Sequence, residues 1–220
     1  MNQLKFIGVS FLLSLLCIGN AMAIEEPKYE VIQVDGPFEI RKYAPILVAE
    51  TFVDGDMDEA SNKGFRLIAD FIFGNNQLAD SNANSKITMT APVTVEPVSQ
   101  KIAMTAPVTV EPQSSESNMQ AAKKWRIHFV MPSQYTLTNI PRPKNDAVTL
   151  REVPSKYLVV YTYSWLNTMS RVQSKTEEAI DWANRKGLKV IGAPKLSRYD
   201  PPWTPPMFKR NEIMLEVLAP

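Results

Sequence analysis

The stretch Ile46-Leu-Val-Ala-Glu-Thr-Phe-Val-Asp-Gly-Asp-Met-Asp-Glu-Ala-Ser-Asn-Lys-Gly-Phe-Arg-Leu-Ile-Ala-Asp-Phe-Ile-Phe-Gly74 changes its period midway. From Ile46 to Val53 it reads as a β-strand. Asp56 then looks like an N-cap, with Glu59 three residues on in capping-box spacing. Behind it Ala60, Gly64, Leu67, Ile68 and Phe71 recur at helical spacing until Gly74-Asn75 stops the run. Upstream, Tyr29 to Val34 and Phe38 to Tyr43 are further strands, set off by Asp35-Gly36-Pro37 and Ala44-Pro45.

The same order returns later in the chain. Ala147 to Val153 and Lys156 to Ser164 read as strands with Pro154-Ser155 between them. A helix follows, with Val172, Thr176, Ala179, Ile180 and Ala183 on one face and Arg185-Lys186-Gly187 as its stop. Lys189 to Tyr199 and Asn211 to Leu218 are two closing extended segments. Strand, strand, helix, strand, strand thus occurs twice, which predicts an α+β fold of two halves sharing one sheet or barrel. Two independent domains are disfavoured, since each half has one helix to cover its sheet.

Between the halves lies a tandem, Lys86-Ile-Thr-Met-Thr-Ala-Pro-Val-Thr-Val-Glu-Pro97 and Lys101-Ile-Ala-Met-Thr-Ala-Pro-Val-Thr-Val-Glu-Pro112. Its β-branched residues favour extended structure, and each proline marks an edge or an end of pairing. The polar run from Gln113 to Lys124 reads as a loop, and Trp125 to Met131 as a strand ended by Pro132.

The amino terminus carries Lys5, an apolar run from Phe6 to Ile18 and Ala21-Met22-Ala23, a small-x-small cleavage site. This predicts a cleavable signal peptide over 1–23 and a mature domain over 24–220, periplasmic or secreted. The apolar run is too short to span a bilayer comfortably, so no stable membrane insertion is expected after cleavage. Cys17 follows Leu16, where a lipid-attachment site wants a small residue. Removing 23 of 220 residues leaves 197, enough for one domain with a sizeable core.

The full chain has 24 basic and 23 acidic side chains, and one of the basic ones, Lys5, lies in the leader. A balanced surface argues against a nucleic-acid partner, which needs a basic excess to displace counterions. The one cysteine lies in the leader too, so the mature domain has no thiol for disulfides, catalysis or metal ligation.

Few residues declare chemistry. The single histidine, His128, excludes two-histidine sites, and no Gly-x-Ser-x-Gly elbow or phosphate-cradling glycine loop is present. His128 sits on the alternate strand face from Trp125, Ile127, Phe129 and Met131; it reads as a side chain facing solvent or a polar neighbour, or as an axial heme ligand. Met89 and Met104 occupy matching tandem positions and read as packing, or as pocket wall. The segment from Tyr199 to Glu212 carries four prolines, and its stiffness presents Tyr199, Trp203, Met207 and Phe208 at low ordering entropy. Such a loop suits a flat apolar ligand, with Lys209 and Arg210 able to meet its carboxylates, or else simply closes over the core.

Taken together, Tyr29-Glu-Val, Phe38-Glu-Ile-Arg-Lys-Tyr-Ala-Pro45, Met57-Asp-Glu-Ala60, the Lys-Ile-x-Met-Thr-Ala-Pro-Val motif at 86 and 101, Phe129-Val-Met-Pro132, Tyr199-Asp-Pro-Pro202 and Arg210-Asn-Glu212 resemble the SOUL family of heme-binding proteins. The resemblance covers nearly all of the mature chain. It implies a twisted, barrel-like β-sheet of two pseudo-symmetric halves flanked by two helices. It also implies a tetrapyrrole held in a shallow apolar groove with a basic rim, beside the first helix and the loop before the last strand, without strong axial ligation. The residues this places at the heme are Lys63, Phe65, Arg66, Leu67, Tyr199, Trp203, Met207, Lys209 and Arg210. Where mammalian members carry basic side chains and methionines on that helix, this chain aligns Asn62, Phe65, Ala69 and Asp70, and Thr204 stands for a loop lysine. Two other readings stay open: an enzyme, such as a hydrolase, acting on a small apolar substrate through a pocket carboxylate, with Glu212 the first to examine, and an envelope structural or interaction protein docking through the tandem.

Overall fold

The computed structural model describes residues 24–78, 81, 83–98 and 122–220. The leader, the second copy of the tandem with Met104, and most of the polar run after it lie outside the described residues.

The chain runs β1 (Tyr29–Asp35), β2 (Phe38–Tyr43), β3 (Ile46–Asp54), α1 (Met57–Ile72), β4 (Asn76–Gln77), β5 (Val93–Pro97), β6 (Lys124–Val130), β7 (Arg142–Pro143), β8 (Thr149–Val153), β9 (Lys156–Tyr163), α2 (Met169–Arg185), β10 (Lys195–Arg198) and β11 (Asn211–Val217). Nine strands form one antiparallel sheet in the order β1-β2-β9-β11-β10-β5-β6-β3-β8, curled into a half-barrel, while β4 and β7 pair separately. The order is symmetric about the β5–β10 pair: outward from it lie β6, β3 and β8 on one side, and β11, β9 and β2 on the other. The edge strands are exchanged between halves, β2 pairing with β9 and β8 with β3. The doubled pattern is therefore a single interlocked sheet, and β1 extends it at one end.

Period decides which face each residue takes. Along β3 and β6, Leu47, Ala49 and Val53 alternate with Val48 and Glu50, and Trp125, Ile127 and Phe129 with Arg126 and His128. The first set joins the main core beneath the helices. α1 starts because the Asp56 carboxylate accepts from the Asp58 and Glu59 N–H groups at 2.9 and 2.8 Å. It lies so close on β6 that a Cβ at Gly64 would stand 2.4 Å from Ile127 Cγ1. α2 is capped by Thr168 and buries Val172, Thr176, Ala179, Trp182 and Ala183.

Three local expectations are corrected. Trp182, which the periodicity left out, completes the buried face of α2, where Ile180 also packs partly buried; the Trp182 ring stacks on Phe38 at 5.1 Å and its N–H donates to Asp35 at 3.0 Å. The extended segment from Lys189 is interrupted: Gly192 takes φ +78 and Pro194 has no N–H to pair, so the ladder strand is only β10, with Val190 making a lone bridge to Val217. The first tandem copy likewise pairs only from Val93, and Met89 packs partly buried against the main core.

Candidate functional site

The sheet face away from the helices carries a polar row, one residue per strand. Cross-strand partners run Glu50 on β3, His128 on β6, Thr94 on β5, Ser197 on β10 and Glu212 on β11. All five are buried. The Thr94 and Ser197 hydroxyls meet at 3.0 Å at the centre of symmetry, so His128 and Glu212 occupy equivalent places in the two halves. Arg126 and Arg210, each two residues earlier in the same strand, are equivalent as well.

Glu212 has no exposed side-chain surface. Its Oε1 accepts from Arg41 Nη1 at 3.1 Å and from Arg210 Nε and Nη2 at 3.1 and 3.0 Å, and its Oε2 accepts from the Tyr199 hydroxyl at 2.6 Å. The Arg210 guanidinium also lies 3.7 Å over the Tyr199 ring. Burial and the neighbouring Glu212 charge push the Tyr199 phenol well above its ordinary range. Burial opposes the charge on Arg41, and Glu212, Tyr43 and Glu39 together more than offset it. Charges taken out of water in this way require full pairing, and here they have it.

His128 has no such partner. It is 9% exposed, against the expectation of a solvent-facing side chain, because the curled sheet brings residues of β2, β8 and β9 around it into a cleft of about 130 Å³. Its Nδ1 is buried without a hydrogen bond. Burial, reinforced by Lys195, Arg151, Arg126 and Lys156, lowers its pKa to about 3, so the ring is neutral. The same cations meet carboxylates: Arg151 grips Glu50 at 2.9 and 2.7 Å, Arg126 reaches Glu96 at 3.2 Å, and Lys156 and Lys195 share Glu216 at 2.5 and 3.6 Å.

The residues expected at a tetrapyrrole divide between two places. Tyr199 and Arg210 belong to the Glu212 cluster on the concave side. Lys209 is turned back on its own loop, donating to the Pro201 and Pro202 carbonyls at 3.1 and 3.3 Å. Trp203 and Met207 stand out into solvent, as does Phe208; Trp203 is 82% and Phe208 73% exposed. Lys63 and Arg66 are exposed on α1, Leu67 packs partly buried on the core, and Phe65 lies half in, its ring 5.5 Å from Phe129. The loop leaves the sheet beside the first turn of α1, where Arg198 reaches Asp58 at 3.5 Å. Lys63 and Arg66 follow about 8 and 12 Å further along the helix. His128 shares the concave face with Glu212 and lies across the sheet from α1.

Sequence reasoning missed the rim partner of the proline loop. Trp165 adopts φ +83, a costly left-handed conformation for a bulky residue. Its N–H donates to Pro206 at 2.9 Å and its carbonyl accepts from the Asn211 side chain at 2.9 Å. These bonds set exposed Trp165 and Leu166 beside Met207 and Phe208. Also missed were Arg41, Glu50, Arg126 and Arg151. A signal for them exists: polar residues at every second position of strands whose other positions are apolar.

No curated protein sequence matches this chain significantly. Among solved structures, the C-terminal domain of EcmrR superposes with a TM-score of 0.55 at 11% identity, covering 87% of this chain and 99% of that one. EcmrR in its DNA complex gives 0.56 at 10% identity, over 98% and 65%. A hydrolase from Listeria innocua gives 0.51 at 12% identity, over 82% and 91%. Identities this low establish a shared fold only. The model of the SOUL heme-binding protein family matches residues 24–216, nearly the whole span that carries the doubled sheet and the proline loop, and this chain belongs to that family.

Proposed function

We propose that this protein binds heme or a related tetrapyrrole on the apolar rim formed by the proline loop and the segment around Trp165, with the exposed side of α1 supplying cations. The observation that carries the reading is the exposure of Trp165, Leu166, Trp203, Met207 and Phe208 on two segments tied by the bond from the Trp165 N–H to the Pro206 carbonyl, on a chain of a heme-binding family. Monomeric proteins rarely leave so much aromatic surface exposed without a ligand or partner. A flat macrocycle stacks on such rings, and its propionates would pair with Lys63 and Arg66. Heme, when bound, would supply the iron; the chain's own residues bind and orient the ring. His128 lies in the concave cleft, which is below the 300–1,000 Å³ of ordinary small-molecule sites and is lined by none of these aromatics. The reading therefore involves no ligation by His128. It treats the protein as a binder rather than an enzyme, because Glu212 is already occupied by three side chains. It includes export, with cleavage after Ala23, which amino-terminal sequencing of the mature protein checks.

The test is an absorbance titration with hemin and with metal-free protoporphyrin. Both should give a saturable change in the Soret band, and Trp203→Ala with Phe208→Ala should weaken it about tenfold, roughly 1.4 kcal/mol. Absence of any saturable change at micromolar protein would overturn the reading. Arg210→Glu is not a clean test, because it places a second carboxylate against Glu212.

A further inference from the structure

We propose that the two tandem copies compete for one place in the sheet, so that residues 101–112 exchange with residues 86–97 as the supplier of the central strand between β6 and β10. The place is closely defined by what the first copy puts there. Val95 and Ile87 are buried in the main core, Thr94 meets Ser197 at 3.0 Å, Arg126 donates to Glu96 at 3.2 Å, and the Thr90 hydroxyl donates to the Val130 carbonyl. At the corresponding positions the second copy carries Val110, Ile102, Thr109, Glu111 and Thr105. The copies differ at one position, Thr88 against Ala103, and Thr88 is exposed. Every buried side chain of the first copy thus has an identical counterpart in the second.

The ends of the strand do not tell the copies apart either. Asn76 donates to the Ser85 carbonyl at 2.6 Å and accepts from the Ser85 N–H at 2.9 Å. The Ile87 N–H donates to the Ile72 carbonyl at 2.9 Å, and the Val98 N–H to the Lys124 carbonyl at 2.8 Å. On the tandem's side these bonds use backbone alone, which Gln100 and Gln113 offer in place of Ser85 and Val98.

Chain connectivity is close to neutral. Exchange roughly doubles the connection from α1 to the strand and roughly halves the one from the strand to β6. Closure entropy grows only with the logarithm of length, so the two changes nearly cancel. The consequence is a conformational device: one end of the central strand gains the spare copy as a loop while the other loses it, and the sheet keeps every contact. The loop then lies either beside the first turn of α1, where the Gly55 N–H donates to the Lys123 carbonyl, or beside its last, at Ile72.

The test is urea denaturation of residues 24–220 carrying an aspartate in one copy or in both. Val95→Asp alone and Val110→Asp alone should each lower the folding constant by less than about tenfold, and by about twofold if the two arrangements are equally stable. The double variant should lose at least about a hundredfold, because an unpaired carboxylate then enters the core in either arrangement. Val95→Asp as costly as the double variant, or a double variant as stable as wild type, overturns the exchange. Position is read separately by cysteine pairing, since residues 24–220 contain no cysteine. On oxidation Thr109→Cys should link to Ser197→Cys, as Thr94→Cys does, whereas Val110→Cys, on the opposite strand face, should not. No link from Thr109, or equal linking from Thr109 and Val110, overturns the exchange as well.

Discussion

His128 and Glu212 face the same concave surface from equivalent strands, yet the two halves treat them oppositely. Glu212 gathers two guanidiniums and a phenol and is saturated. His128 stands among cations with an unpaired nitrogen and stays neutral. Backbone symmetry thus fixes position but not role. In one half a buried charge is part of the fold, and in the other a neutral ring sits among cations that pair with carboxylates instead.

The largest expected effect comes from removing the saturated member. Glu212→Ala leaves buried Arg41 with only the partly buried Glu39 as counter-charge and the Tyr199 hydroxyl without its acceptor, and should cost about 3–5 kcal/mol in urea denaturation. His128→Leu at pH 7 should cost under about 1 kcal/mol, since it deletes an unsatisfied polar group. Equal losses would break the comparison. On the helix side of the same strand, Gly64→Ala drives a methyl into Ile127 and should cost about 3 kcal/mol, read as a lowered Tm.

Acid sharpens the contrast. The His128 pKa is about 3 when folded against an ordinary 6.5, so between those values the unfolded chain takes up a proton that the folded one refuses. Stability is fully present above pH 6.5 and falls as pH drops, by about 2 kcal/mol at pH 5 from this group. Denaturation midpoints at pH 7 and pH 5 should separate more in the wild type than in His128→Leu. The smallest effect on stability belongs to the rim. Trp203→Ala should stay within about 0.5 kcal/mol of wild type while weakening hemin binding.

Much of the architecture was legible in the residues. Asp56 and Thr168 begin helices, Gly74 and Gly187 end them, and the switch of period at Asp54 to Met57 marks where strand becomes helix. The proline loop was legible as an exposed aromatic display, since four prolines stiffen it locally. Its partner was not, because Trp165 reaches the loop through backbone bonds that no sequence pattern encodes. Lys209 and Arg210 looked available for a ligand but are spent on the Pro201 and Pro202 carbonyls and on Glu212.

Period, capping and composition act over a few residues, and they determined the elements, the doubled order and which side of each strand is apolar. The exchange of β2 and β8 between the halves, and the curl that buries His128 and Glu212, belong to the tertiary structure alone. Alternation tells which residues share a face of one strand. Whether that face meets water or a ring of opposed charges depends on strands more than a hundred residues apart in sequence, as Arg41 and Glu212 are, and only the folded sheet brings them together.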